Sequence, residues 1–111
     1  MSATEDLATK RNQLRNLRKA IPDTFAGFVA MEQAASADGA LSKKQKEFIA
    51  LGIAVAMRCE ACIVSHAKAL VSVGATREEV VEVLGTSIQM SGGPGLMYAG
   101  KALEIFDEFT A

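Results

Sequence analysis

The chain has no Trp, a single Tyr, a single His and only two Cys among its 111 residues. With five Phe beside that Tyr, its hydrophobic half is carried mostly by Ala, Val, Leu and Ile. Small side chains of this kind suit closely packed helices. No stretch alternates apolar and polar residues over strand length between turn signals, which excludes a β-rich core. An excess of either charge is also lacking. The net charge of −1 leaves no bulk field to draw in nucleic acid or an anionic membrane. No apolar run approaches the ~20 residues of a membrane span. Residues 1–19 are polar and charged, without the apolar core of a secretory signal, so a cytoplasmic location is expected. In that compartment a lone pair of cysteines is more often reactive or metal-binding than a permanent staple.

The length fits one domain spanning residues 1–111, enough for a single core. Residues 1–46 carry eight Lys or Arg against five Asp or Glu, and residues 47–111 carry four against eight. Lys10, Arg11, Arg15, Arg18 and Lys19 make the first helix basic, most simply a solvated face.

Helical periodicity runs through the chain and predicts an all-α bundle of five to six helices. The first, about 4–20, has a stripe of Leu7, Leu14, Leu17 and Ile21, and Pro22-Asp23 breaks it. The second, about 23–36, carries Phe25, Phe28, Val29 and Met31 and stops at Asp38-Gly39. Ser42 and Gln45 form a capping box, as do Thr76 and Glu79, and Gly74 closes the helix between them. Ser91-Gly92-Gly93-Pro94-Gly95 reads as a tight interhelical turn before a last helix at about 96–109. Met31, Met57, Met90 and Met97 are expected to pack inside, and Tyr98 to lie in the core or at its rim.

The segment 42–73 is too long for one ordinary helix. Unbroken, it would hold Glu47 about 18 Å from Cys59. A break near Met57-Arg58 makes a central antiparallel hairpin instead. Glu47, ten residues before the break, and His66, eight after it, then stand at nearly the same level. The second arm presents Cys59, Cys62, Ile63, His66, Ala67 and Leu70 on one stripe. The first arm is apolar nearly all round (Phe48, Ile49, Leu51, Ile53, Ala54, Val55, Ala56), which implies a central position or cover by another subunit. A homo-oligomer is expected.

The two cysteines and the histidine fall within eight residues of one another. C-x-x-C spacing on a helix brings two thiols within disulfide reach. At the first turn, free amides and the helix dipole favour thiolate, the attacking form. His66 can serve as general base to a thiol, and Glu47 can orient it and stabilise its protonated form. Buried inert cysteines are one alternative. Another is zinc held by Cys59, Cys62, His66 and Glu47, or a redox-sensing module without turnover. Haem attachment is excluded because no His directly follows Cys62, and a thioredoxin fold because no strand precedes the motif. The glycine-rich segment at 91–95 lacks the Lys-Ser/Thr of a phosphate loop.

Glu47, Cys59 twelve positions on, Cys62 and then His66 four positions further resemble the carboxymuconolactone decarboxylase family, specifically its alkylhydroperoxidase D-like redox branch. The Ser42-Lys43-Lys44-Gln45-Lys46-Glu47 helix opening, the Gly74-Ala75-Thr76 link and the Gly92-Gly93-Pro94 turn extend the likeness over about residues 25–109. The resemblance implies an all-helical fold assembled as trimers or hexamers, and thiol-dependent peroxidase or disulfide-reductase chemistry without cofactor or metal. Its substrates would be a hydroperoxide, or a protein or small-molecule disulfide, with an external dithiol as reductant. It further implies that Cys62 attacks and becomes sulfenic acid, that Cys59 completes the disulfide, and that His66 and Glu47 relay protons. The helix-dipole argument favours Cys59 as the thiolate instead, being nearer the helix start. Some members carry His immediately before the second cysteine; this chain has Ala61 there. The lactone decarboxylases that name the family generally lack the cysteine pair, which leaves decarboxylation as a minor alternative.

Overall fold

Helix boundaries in the computed structural model, which describes residues 2–111, follow the capping chemistry of the sequence. Five helices occur: α1 (Ala3–Ala20), α2 (Pro22–Ser36), α3 (Lys43–Ala56), α4 (Glu60–Ser72) and α5 (Arg77–Thr110). The described residues contain no strand. Ser42 Oγ accepts the Gln45 amide at 3.1 Å while Gln45 Oε1 accepts the Ser42 amide at 2.8 Å, so α3 opens on a reciprocal box. Thr76 and Glu79 do the same for α5 at 3.1 and 2.9 Å. Pro22 sits at the first turn of α2, where its missing N–H costs no helical bond.

The break expected at Met57-Arg58 is present, and its chemistry is visible. The Cys59 amide donates to Ala54 O at 3.0 Å and the Arg58 amide to Val55 O at 3.1 Å. That is the Schellman closure of a helix, and it requires a left-handed residue. Arg58 fills the role with φ 57°, a conformation that costs a non-glycine residue roughly 1 kcal/mol. The α4 terminus closes by the same pair of bonds, with Gly74 at φ 78°.

The core lies where α3, α4 and α5 meet. Leu51 and Val55 of α3, Ile63 and Leu70 of α4, and Val80 and Phe106 of α5 are essentially fully buried. Each such side chain contributes about 1.5–3 kcal/mol by leaving water. The stripe read on α4 is confirmed by its inner members, since Ile63, Ala67 and Leu70 are all completely enclosed. A cross-tie fixes the α3–α5 packing, with Ser87 Oγ donating to Gly52 O at 2.9 Å. No helix of the described chain is long and apolar enough to cross a membrane.

One local expectation is narrowed and two are corrected. The break expected at 91–95 is present but narrower: α5 is two helices joined across a kink at Gly92, whose φ of 70° and ψ of −149° suit glycine alone. Pro94 follows the kink within two residues, where the ring removes no ladder bond that the break had not already removed. Met31, Met57, Met90 and Met97 do not pack inside; they are 58 to 78% exposed. On α1 only Leu7 of the expected stripe packs against the core, while Leu14, Leu17 and Ile21 lie open. Helix α2 buries no residue in the single chain, despite Phe28 and Met31.

Candidate functional site

The α3–α4 hairpin builds the site. Its Schellman turn reverses the chain within the residues Met57, Arg58 and Cys59, and so aligns Glu47 on one arm with His66 on the other. His66 Nδ1 and Glu47 Oε2 are 2.6 Å apart. Glu47 is only 7% exposed and is the one buried ionisable side chain among the described residues. A carboxylate held this close accepts the Nδ1–H of the ring, which leaves the lone pair of the neutral imidazole at Nε2. No described buried side-chain nitrogen or oxygen lacks a partner, so Nε2, which bonds no described protein atom, is open to solvent or substrate.

The other half of the site is the start of α4. Cys59 is its N-cap residue, and the Cys62 amide donates to Cys59 Sγ at 3.3 Å. The sulfur takes the place that a Ser or Asp oxygen holds in an ordinary cap, facing the free amides and the positive end of the helix dipole. Cys59 and Cys62 form a disulfide, with their Cα atoms 5.2 Å apart, and neither thiol is free. Cys62 is half-buried and packs against the core. His66 lies one turn further along the same face of α4, about 6 Å along the axis from Cys62.

The hairpin therefore carries the four residues as two bonded pairs, sulfur with sulfur and imidazole with carboxylate. They do not converge on one point: among the described residues, no three His, Cys, Asp or Glu side chains are placed to share a metal ion.

A groove of about 750 Å³ opens beside His66 and Glu47. Ile49 and Ile53 of α3 form one apolar side, and Phe28, Val29 and Met31 of α2 form the other. Neither cysteine lines it. The α2 wall is not apparent from local sequence, although the lack of a polar face on that helix is consistent with it. A second unanticipated feature flanks the cysteines, where Lys101 Nζ of α5 reaches Glu60 Oε1, between Cys59 and Cys62 in sequence, at 2.6 Å.

An all-helical fold with a cysteine pair and a carboxylate–imidazole pair on one hairpin defines the class of protein. The chain belongs to the carboxymuconolactone decarboxylase family, whose model matches residues 22–104. It is similar to the crystal structure, in apo form, of a carboxymuconolactone decarboxylase family protein from Legionella pneumophila. The TM-score is 0.96 at 47% identity, over 98% of this chain and 97% of that one. It is 39% identical to an uncharacterized protein of Cupriavidus necator, over 97% of this chain and 99% of the relative. An uncharacterized protein from the cox locus of Paracoccus denitrificans is 37% identical over 73% of each chain.

Proposed function

We propose that the protein is a thiol–disulfide oxidoreductase that reduces hydroperoxides by cycling Cys59 and Cys62, with His66 and Glu47 as its proton relay. One observation carries this reading: the bonded cysteine pair at the start of α4 stands one turn from an imidazole whose far nitrogen is free and whose near nitrogen is held by a buried carboxylate.

In the reduced protein, the Cys62 amide and the end of α4 stabilise a thiolate on Cys59. That thiolate is the base nearest Cys62, and His66 Nε2 carries the proton onward. Glu47 stabilises the imidazolium so formed. The Cys62 thiolate attacks a peroxide oxygen, the O–O bond breaks, and the alkoxide leaves as alcohol with a proton from the relay. Cys62 is now sulfenic acid. Cys59 thiolate attacks its sulfur, the S–O bond breaks, and hydroxide leaves as water with the second proton. An external dithiol then returns two electrons and two protons, becoming a disulfide itself. These roles reconcile a Cys59 thiolate with Cys62 as the attacking residue.

The same reading includes a homo-oligomer, a trimer or hexamer, formed in the cytoplasm. Ile49, Ile53, Phe28 and Met31 are each more than half exposed in the single chain and line one groove, the kind of apolar patch that a second subunit covers. Light scattering gives a species several times 11.7 kDa on this account, and a stable monomer contradicts it.

The test of the activity is hydroperoxide consumption with a dithiol donor. Wild type turns over and Cys62→Ser does not; full activity in Cys62→Ser would refute the assignment.

A further inference from the structure

The ion pair beside the cysteines has no role in the relay, yet it stands where charge matters most. Glu60 is the first residue of α4, joined directly to Cys59. A fixed carboxylate at that point opposes formation of thiolate on its neighbour. Lys101 Nζ, at 2.6 Å from Glu60 Oε1, offsets it. The surroundings sharpen the point. The depression of about 220 Å³ that holds this pair is lined by Asp6, Glu60, Glu104 and Glu108, and Lys101 is the only cationic side chain among its described lining residues. The Glu108 carboxylate is committed to the Ala3 and Thr4 amides at the start of α1. The hydrogen bond that Lys101 donates to Glu60 is the chief cause raising the ammonium above its ordinary value, so the cation stays charged through the neutral range.

We infer that Lys101 is a positioning residue for the redox reaction, setting the reduction equilibrium of the Cys59–Cys62 pair by neutralising Glu60 at the start of α4. The inference rests on the proposed cycling of that pair. The step it governs is exchange with a dithiol: a dithiol thiolate attacks the disulfide, the Cys59–Cys62 bond breaks, and a second attack closes the reagent into its own disulfide. Protein disulfide and dithiol become one protein thiolate, one protein thiol, a released proton and oxidised reagent. Only the product side carries the new negative charge next to Glu60. Without Lys101, an uncompensated carboxylate about 10 Å away disfavours that side by roughly threefold to tenfold, at the effective dielectric of about 25–50 that suits a half-exposed pair. Salt weakens an interaction so exposed, since the Debye length falls to about 3 Å at 1 M.

The experiment equilibrates full-length protein with reduced and oxidised dithiothreitol at pH 8 and low ionic strength, then traps free thiols by alkylation. The variants are Lys101→Met, Glu60→Gln, the double variant and Lys101→Arg. The inference predicts a reduction constant three- to tenfold lower in Lys101→Met and two- to fivefold higher in Glu60→Gln. The double variant and Lys101→Arg lie within about twofold of wild type, and the Lys101→Met shift falls below twofold in 1 M KCl. A Lys101→Met constant equal to wild type overturns the inference, as does a shift that persists in salt or is not reversed in the double variant. A wild-type pair that never exchanges with the reagent overturns the cycling itself, and the inference with it.

Discussion

Replacing Glu47 by Gln tests the relay without emptying the space that the carboxylate fills. The side chain is 7% exposed and bonds His66 Nδ1 at 2.6 Å. Gln keeps the volume and an oxygen to accept the Nδ1–H, so the ring keeps its orientation and its Nε2 lone pair. What disappears is the negative charge that stabilises imidazolium. A hydrogen bond to a charged group contributes about 1.5–3 kcal/mol and a neutral one about 1. The difference, roughly 0.5–2 kcal/mol, is spent each time His66 carries a proton, and converts to a rate loss of about twofold to thirtyfold. The assay is the initial rate of hydroperoxide consumption with saturating dithiol, read together with disulfide content after a single oxidation. E47Q should slow the first and leave the second complete. His66→Gln should lose more, because the proton carrier itself is gone and general acid–base catalysis contributes about 10² or more. Wild-type rates in both variants would show that the buried pair holds the hairpin together and takes no part in proton transfer.

Other consequences concern the fold that positions the site. Phe106→Ala, at a side chain 1% exposed, should cost about 3–5 kcal/mol in urea denaturation, and a loss below 1 kcal/mol would misplace the core. Arg58→Gly should relieve the left-handed turn at φ 57° and raise stability by about 0.5–1 kcal/mol with an unchanged denaturant slope; a fall in stability would contradict the strain. The Arg77 guanidinium donates to both Asp107 oxygens, at 2.8 and 3.1 Å, and that hydrogen bonding holds the Asp107 carboxyl below its ordinary 3.8. A lowered folded value means that the contribution is present above pH 3.8 and is lost as pH falls through the lower folded value. Asp107→Asn should remove that part of the acid sensitivity, seen as a flatter melting temperature below pH 4.

What the sequence made legible was what local chemistry decides. Both capping boxes, the Gly74 closure and the stripe on α4 follow from side chains within one or two turns of each other. The hairpin was legible for a different reason: a helix of 32 residues is improbable, and only a break near Arg58 brings Glu47 to His66. The left-handed Arg58 itself has no sequence signal, because any residue can be forced there when packing on both sides demands it. Glycine and proline at 91–95 did mark a break between two helices, but its extent was not legible: the single non-helical residue Gly92 makes the kink, and the chain is helical on both sides of it. The exposed methionines and the outer part of the α1 stripe were misjudged because apolarity alone does not say whether a side chain is buried within its own chain. The Lys101–Glu60 contact joins residues 41 positions apart, and no periodicity marks it.

The central claim is that Cys59 and Cys62 turn over as a pair under the control of His66 and Glu47. The most direct measurement oxidises fully reduced protein with one equivalent of an organic hydroperoxide, and follows thiols by mass spectrometry and the alcohol product by chromatography. The account predicts equimolar alcohol, loss of both thiols as the Cys59–Cys62 disulfide, and a slower course in E47Q. Peroxide that survives while both thiols stay free, or an E47Q course that matches wild type, would contradict it.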